Sequence, residues 1–507
     1  MFNEGTVADA SLVEARCRVQ GFFAGSICGR RPHVAPDGAD EHPVCLMHSK
    51  DPHKQSGPLF EAFWQEFDGI LEEAGEGVAH FERFVFPKLY LKHRYFRAIC
   101  RFDEATFTQE ANFEEVTFAQ RVVFVQATFM HVANFSKAKF KHDAHFLCSM
   151  FTQDAVFSST TFEQNAIFTE VTFMFEAFFY RVTFMQDVEF RYSEFERSAE
   201  FLEATFMQNA DFEKTVFCGT ANWCGCRFLG PVKFRRTRFN PEGVKKPSAI
   251  FSEAKASQPA EVVFDGVDLS RALFLNCDVS EFWFTSSVQW AARKGNFGLA
   301  VFDESFLIEA ELWKTLHQYC GPIDHRAVEQ TYHQLKKNYD ARLDYPKAND
   351  FHFGEMEMRR LAGPTNGRFL RLRQRLHRNL SLVAMYRYAS DYGNSYGKPM
   401  LWLFGILVLS AALLPLPEVG LKRQGANQAE TYASVWRTED EWVPNLWAEV
   451  RLVGKSAITS VDTATFQKSA EYAPAYPWGR VLAIVETLVT STLFALFLLA
   501  IRRQFRR

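Results

Sequence analysis

Four side chains near the start of the chain have the chemistry to hold a metal ion: Cys17, Cys28, Cys45 and His48. Thiolates and an imidazole suit a tetrahedral zinc ion, and Cys45-Leu46-Met47-His48 has the short gap usual between zinc ligands on one turn. Gly29 and Pro32 supply turns inside the set. The ten-residue gap between Cys17 and Cys28 is longer than such sites usually show. The competing reading is therefore three unrelated thiols, and His33 and His53 stand as substitute ligands. A second group lies near the other end. Glu486 is the one ionisable residue within an apolar run, and Asp462 precedes it. Carboxyls placed there point to a polar pore, to pairing with Arg480 or another subunit, or to a helix-helix contact.

What positions these groups is a long stretch with no chemistry of its own. Between residues 96 and 239 an aromatic ring recurs in steps of 5, 6, 5, 6. The series runs Phe96, Phe102, Phe107, Phe113, Phe118, Phe124, Phe129, Phe135, Phe140, Phe146, Phe151, Phe157, Phe162, Phe168, Phe173, Phe179, Phe184, Phe190, Phe195, Phe201, Phe206, Phe212, Phe217, Trp223, Phe228, Phe234 and Phe239. A single strand cannot keep both step lengths on one side, because its side chains alternate with period 2. A long helix would be apolar on two opposite sides. It also fits poorly with the residues before each ring: Ala, Val, Ser, Thr or Cys stands two positions earlier at every beat after the first, and Thr or Val often directly precedes the ring. A coil with four short sides fits. Each five- or six-residue unit forms one side, with the ring and its small partner pointing inward, and four units close a turn of about 22 residues. Turns stack roughly 4.8 Å apart, giving a rod near 30 Å long.

Units such as Ala111-Asn112-Phe113 and Ala210-Asp211-Phe212 resemble the pentapeptide-repeat family, whose unit is a small residue, any residue, a central Leu or Phe, then two more. This chain adds one residue to every second unit, an eleven-residue variant that the family includes. The resemblance implies a mainly β fold, a right-handed quadrilateral β-helix; the patterns that follow in the chain place an α-helical linker and two transmembrane helices after it. After a break between Pro241 and Pro259, a strict beat of five at Phe264, Leu269, Phe274, Val279 and Phe284 adds one more turn. Relatives that carry a membrane module often open with a Cys-rich stretch ending in Cys-x-x-His-Ser, as Cys45 to Ser49 does here.

Met400 to Pro417 and Val481 to Ile501 are apolar runs near the length of a span. The second ends in Arg502-Arg503-Gln504-Phe505-Arg506-Arg507, and a basic stretch that includes Arg387 and Lys398 precedes the first. Positive charge marks the cytoplasmic flank, so both termini are expected in the cytoplasm of an inner-membrane, multi-pass protein. Trp436, Trp442, Trp447 and Trp478 would then sit at the outer interface. The expected order is a Cys/His segment (1–60), a helical capping segment (61–95), the Phe-rich coil (96–240), a break and final turn (241–285), a cytoplasmic helical basic linker (286–398), a first span (399–417), an extracytoplasmic loop (418–479), a second span (480–501) and a basic tail (502–507). Within the linker, Phe306 to Tyr319 and Ala327 to Leu343 have amphipathic spacing. Residues 324–398 hold fourteen Lys or Arg against eight Asp or Glu, a collar suited to anionic headgroups.

Function is bounded by the same residues. There is no phosphate loop and no nucleophile elbow, and a coil filled by Phe has no interior site, so no enzyme is expected. The cysteines form no disulfide framework, and Cys100 and Cys226 fall on inward positions, which points to a reducing compartment. Some pentapeptide-repeat proteins imitate DNA with an acidic rod, but residues 96–239 carry 18 acidic and 15 basic side chains, and the whole chain is only −3. Nucleic acid is not an expected partner. Two spans with a loop between them resemble the pore module of two-helix potassium channels, yet Ser456-Ala457-Ile458-Thr459-Ser460-Val461-Asp462-Thr463 lacks the Thr-Val-Gly-Tyr-Gly filter. The preferred expectation is a membrane-anchored scaffold. Its partners would be the lipid bilayer, a protein bound to the outer faces, and further copies of the chain associated through the spans.

Overall fold

The computed structural model describes residues 17, 19, 28–33, 35, 39–239, 247–293, 298–307, 324–363, 370–432, 446–466 and 471–505. The chain divides into two compact units, residues 1–342 and 343–507. The first is a parallel β-solenoid with four flat faces. Face one begins at Val78–His80 and has ten strands; face two begins at Val85–Phe86 and has eight; face three begins at Leu89–Tyr90 and has nine; face four begins at Tyr95–Phe96 and has eight. Equivalent positions pair along each face in register, as Phe107 with Phe129 and Phe129 with Phe151.

The two step lengths correspond to two kinds of corner. Between Phe96 and Phe239 each five-residue step contains a tight turn closed by a backbone bond, such as Ala105 N to Phe102 O at 3.1 Å and Ala127 N to Phe124 O at 3.1 Å. Its third residue has positive φ, +54° at Glu104, +58° at Glu115 and +56° at Gln126. Each six-residue step, as from Phe107 to Phe113, spreads the corner over an open bend. Within the beat the extra residue accompanies the corners that turn without a left-handed position, whereas outside it five residues make such a corner at Phe86 to Leu91 and at Leu269 to Phe274. Neighbouring left-handed residues stack along the rod and pair by charge: Arg83 with Glu104 at 2.8 Å, Lys137 with Glu115 at 3.0 Å, and Arg181 with Glu203 at 2.8 Å.

All 27 rings of the beat lie in the interior. Successive turns place them face to face, at 4.6 Å and 2° for Phe107 on Phe129 and at 4.9 Å and 2° for Phe146 on Phe168. Isolated rings avoid that sandwich; here the strand repeat imposes it. Compensation comes across the corner, where Phe146 meets Phe157 edge to face at 5.6 Å and 89°. The inward small residues that carry a hydroxyl donate it to a main-chain carbonyl: Ser149 to Phe124 O at 2.6 Å, Thr160 to Phe135 O at 2.6 Å and Thr215 to Phe190 O at 2.6 Å. No polar group at those positions is stranded in the core.

The coil begins a full turn before Phe96. Phe81, Phe86 and Leu91 are buried at three successive steps of five, so this turn lacks the alternating beat and uses Leu in place of one ring. The expected capping segment therefore contributes only its helix α1 (Pro58–Ala74) as a cap. Phe67 of α1 stacks on Phe81 at 4.5 Å and Phe63 meets Phe86 at 5.5 Å, closing the apolar end. The break after Phe239 does not interrupt the coil either. Ala249–Ile250 continues face three, and Phe251 stacks between Trp223 (4.9 Å) and Phe274 (5.3 Å).

At the far end helices α2 (Phe302–Phe306) and α3 (His325–Ala341) follow the coil. Asn338 of α3 donates to Val279 O at 2.9 Å and Phe282 O at 2.7 Å, occupying carbonyls of the last turn. Trp290 Nε1 donates to the Tyr339 hydroxyl at 2.9 Å. This part of the expected linker is thus the second cap. Most of the expected helix at Phe306 to Tyr319, and Trp436 and Trp442, lie outside the described residues.

The second unit consists mainly of helices: α4 (Tyr345–Leu361), α5 (Leu370–Leu380), α6 (Leu382–Ser390), α7 (Gly397–Leu413), α8 (Leu446–Ala464) and α9 (Pro477–Gln504). Among the described residues one helix, over Pro477–Arg503, is long and apolar enough to cross a membrane. The first expected span is shorter, 17 residues or about 25 Å, and stops before Pro415, whose ring removes a helical hydrogen bond. The stretch expected as an extracytoplasmic loop contains α8, which packs against α7 and α9.

Candidate metal centre

The four N-terminal side chains expected to bind metal converge. Their ligand atoms all lie within 4.8 Å of one another. Cys45 Sγ is 3.1 Å from His48 Nδ1, Cys17 Sγ is 3.5 Å from the same nitrogen, and Cys28 Sγ is 3.7 Å from Cys45 Sγ. Backbone pairing brings the distant cysteines together: Cys17 N donates to Arg30 O at 2.9 Å, Cys28 N to Val19 O at 2.9 Å and Gly29 N to Cys17 O at 3.0 Å. Gly29 has φ +66° at the bend. The Cys45-x-x-His48 half is a single turn in which His48 N and Ser49 N both donate to Cys45 O at 3.0 Å. This closed set of three thiols and one imidazole could hold a metal ion.

The surroundings fit that chemistry. His48 Nε2 donates to Glu82 O at 3.1 Å, which turns Nδ1 toward the sulfurs. Metal-bound imidazoles are commonly oriented by such a bond. The His48 ring packs edge-on against Phe84 at 5.1 Å. The hydrogen bond from Cys45 pulls the Cys28 thiol down to about 3, and the Arg30 guanidinium, 3.5 Å away, adds to the effect. Sharing that bond with Cys28 pushes the Cys45 thiol up. Lys54 lies buried beneath the site; Nζ donates to Ser49 O at 2.8 Å and Val85 O at 2.7 Å and sits 4.9 Å over the Phe63 ring. Burial brings its ammonium down to about 7. A divalent ion on three thiolates and a neutral imidazole carries one net negative charge, and Arg30 and Lys54 stand ready to offset it.

The same residues tie the centre to the coil. Val85 N donates to Met47 O at 2.8 Å, so the Cys45–His48 turn extends the exposed edge of face two. Arg30 binds Glu66 of α1 at 2.7 Å. His33 and His53, the substitute ligands, are instead engaged by Asp51 at 2.8 and 2.9 Å. Spacing gave no sign of Arg30, Lys54 or Glu82, because their roles depend on how the segment lies on the first turn.

In the second unit Glu486 of α9 is buried and accepts hydrogen bonds from Ser460 of α8 and Ser410 of α7. Its described hydrogen bonds are thus to hydroxyls of neighbouring helices, while Arg480 is one expected partner without a described ion pair. Asp462 lies two residues beyond Ser460, about 200° around α8, and is half-buried. The structure does not join the two carboxyls into one site. The continuous helix Leu446–Ala464 uses its carbonyls internally, so these residues form no carbonyl-lined filter.

Residues 95–139 and 190–238 match the family model described as pentapeptide repeats (9 copies). No curated protein and no solved structure matches the chain. The matched residues lie in the stacked four-sided coil, a parallel β-solenoid with a small residue and a ring at each inward step, consistent with pentapeptide repeats.

Proposed function

We propose that this chain is a non-enzymatic scaffold, anchored in a bacterial inner membrane with both termini in the cytoplasm, that offers the outer faces of its β-helix to protein partners. The observation that carries the reading is the contrast between an interior filled by uniform rings and an exterior whose chemistry changes from turn to turn. On face two and its edge, Met130, Met150 and Met174 are exposed on successive turns; flexible thioethers adapt to varied partners. Charged pairs such as Arg181–Glu203 mark another corner. The apolar length of α9 and its terminal arginines support anchoring. Zinc is the ion proposed for the Cys3His centre. Four closed protein ligands suit a structural ion, which would couple folding of the cap to metal loading.

A photo-reactive residue at position 150 of the full chain in bacterial membranes tests the scaffold. A discrete protein adduct should form, weaken when Met130 and Met174 become Ser, and persist in Glu163→Gln on face four. Absence of protein adducts from probes on all four faces would remove the reading. A second reading, a pore, draws on the Glu486–Ser460–Ser410 contact between three helices. Planar-bilayer recording decides it: ion-selective current abolished by Glu486→Gln would displace the scaffold.

A further inference from the structure

Helix α5 is amphipathic in the sense opposite to that of a protein surrounded by water. Leu372, Leu376 and Leu380 follow at four-residue intervals, so they share an arc of about 80°. They are 57%, 47% and 68% exposed. The half-buried side carries Gln374 and His377, and Gln374 packs close beside Gly363. The polar side thus faces protein while the leucines face out. The apolar line continues into α6 with the exposed Leu382 and Met385. Exposed Arg373 flanks one edge of the leucine arc and exposed Arg375 lies beyond the other, while Arg378 falls on the side of Gln374. The sequence has no Asp or Glu between Glu357 and Asp391 to neutralise them.

The neighbourhood identifies the occupant. Helix α6 packs on α7 and on α9. Arg503, at the basic end of α9, donates to Tyr392 O just after α6. At this same end Tyr388, Tyr396 and Trp402 are exposed, and Trp402 Nε1 donates to Tyr388 O at 3.0 Å. Amphipathic aromatics and arginines gathered at one end of an apolar helix pair are the marks of a membrane-water boundary. A leucine arc edged by cations, continuous with that end, complements an anionic lipid surface.

We propose that α5 and the start of α6 lie along the membrane surface, with Leu372, Leu376 and Leu380 at the boundary of headgroups and acyl chains and Arg373 and Arg375 on the phosphates of anionic lipids. The inference rests on the membrane-anchored reading and deepens it by assigning the lipid class and the contact residues.

The test uses the full chain, with benzoylphenylalanine at position 376 or 374, reconstituted in vesicles of phosphatidylcholine alone or mixed equally with phosphatidylglycerol. Retention through an alkaline carbonate wash is scored first; a chain that washes off loses the anchored reading and this inference together. In retained protein, irradiation should give lipid adducts at 376, several-fold more with phosphatidylglycerol, and few at 374. Replacing Arg373 and Arg375 by Gln should remove the phosphatidylglycerol preference and leave retention unchanged. Protein adducts at 376, equal lipid adducts at both positions, no adducts, or yields indifferent to phosphatidylglycerol would each overturn the proposal while the anchored reading stands.

Discussion

In the coil the large apolar side chains are hidden and the charges stand outside: Phe146, Phe157 and Phe168 are fully buried, while Arg181 and Glu203 meet on an exposed corner. In the helical unit the order reverses. Leu401 is 72% and Phe404 67% exposed, while Ser456, Thr459, Ser460, Thr490 and Glu486 are buried. Two parts of one chain have sorted the same side-chain types in opposite directions. Burial of apolar area drives folding only against water; against acyl chains it gives nothing, and interhelical polar contacts and packing decide the arrangement. On the proposed membrane-anchored reading, the difference means that the two units are built for different solvents.

The largest effect should come from placing a charge on each kind of Phe. Phe168→Asp removes a ring from the stack and buries a carboxylate, costing more than about 5 kcal/mol, and should abolish the cooperative melt of the coil in detergent solution. Changes at Glu163 or Gln164, on the outside, should leave that melt unchanged. Phe404→Asp should also leave it unchanged but impair bilayer insertion, since Asp at a span centre costs roughly 2.5–3.5 kcal/mol on insertion scales. Equal melting of the Phe168→Asp and parent proteins would dissolve the contrast.

Within the coil the two ends differ, and metal removal sharpens that difference. The first end is closed by α1 and the Cys3His turn, the last by α3. Chelation, or Cys45→Ser, should speed amide exchange of Val78–Phe96 by about tenfold or more, the equivalent of roughly 1.4 kcal/mol or more of local stability. Exchange at Ala272–Phe284 should not change. One zinc per chain by elemental analysis, lost in Cys45→Ser, belongs to the same expectation; uniform acceleration at both ends would show that the centre stabilises the whole coil.

The last end has its own titration. Asp303 of α2 is buried beside Phe274 N, 3.1 Å from Oδ2, and burial raises its carboxyl from the usual 3.8 to about 7. The folded chain therefore binds the proton more tightly than the unfolded chain. Its contribution is fully present below about pH 4 and is lost as pH rises through about 7. The displacement corresponds to at most roughly 4 kcal/mol. Urea midpoints of the parent minus those of Asp303→Asn should fall between pH 4 and pH 8; a flat difference would deny the burial cost.

Legibility in the sequence followed physical uniqueness. The ring beat was readable because every inward site demands the same volume. The first turn was not, because Leu91 serves for Phe and its steps are all five. Cys45 and His48 were readable since one turn joins them, whereas the role of Lys54 arises only when Ser49 O and Val85 O meet above α1. Helix α8 was missed because its Thr, Ser and Val residues have weak helical preference; contact with α7 and α9 supplies what propensity does not.

The smallest effect separates the two kinds of corner. Gln126 holds φ +56° in a five-residue step, a conformation that costs an L-residue about 1–2 kcal/mol and a β-branched one more. Gln126→Val should therefore lower stability by roughly 1–2 kcal/mol. Gln126→Gly should be neutral or stabilising by up to about 1 kcal/mol, because relief of the left-handed position outweighs the added freedom of the unfolded chain. Gln153 occupies a six-residue bend without positive φ, so Gln153→Val should have little effect and Gln153→Gly should be mildly destabilising. Thermal melts of the four variants read the sign directly. If Val is tolerated equally at both sites, the left-handed position does not distinguish the two kinds of corner energetically.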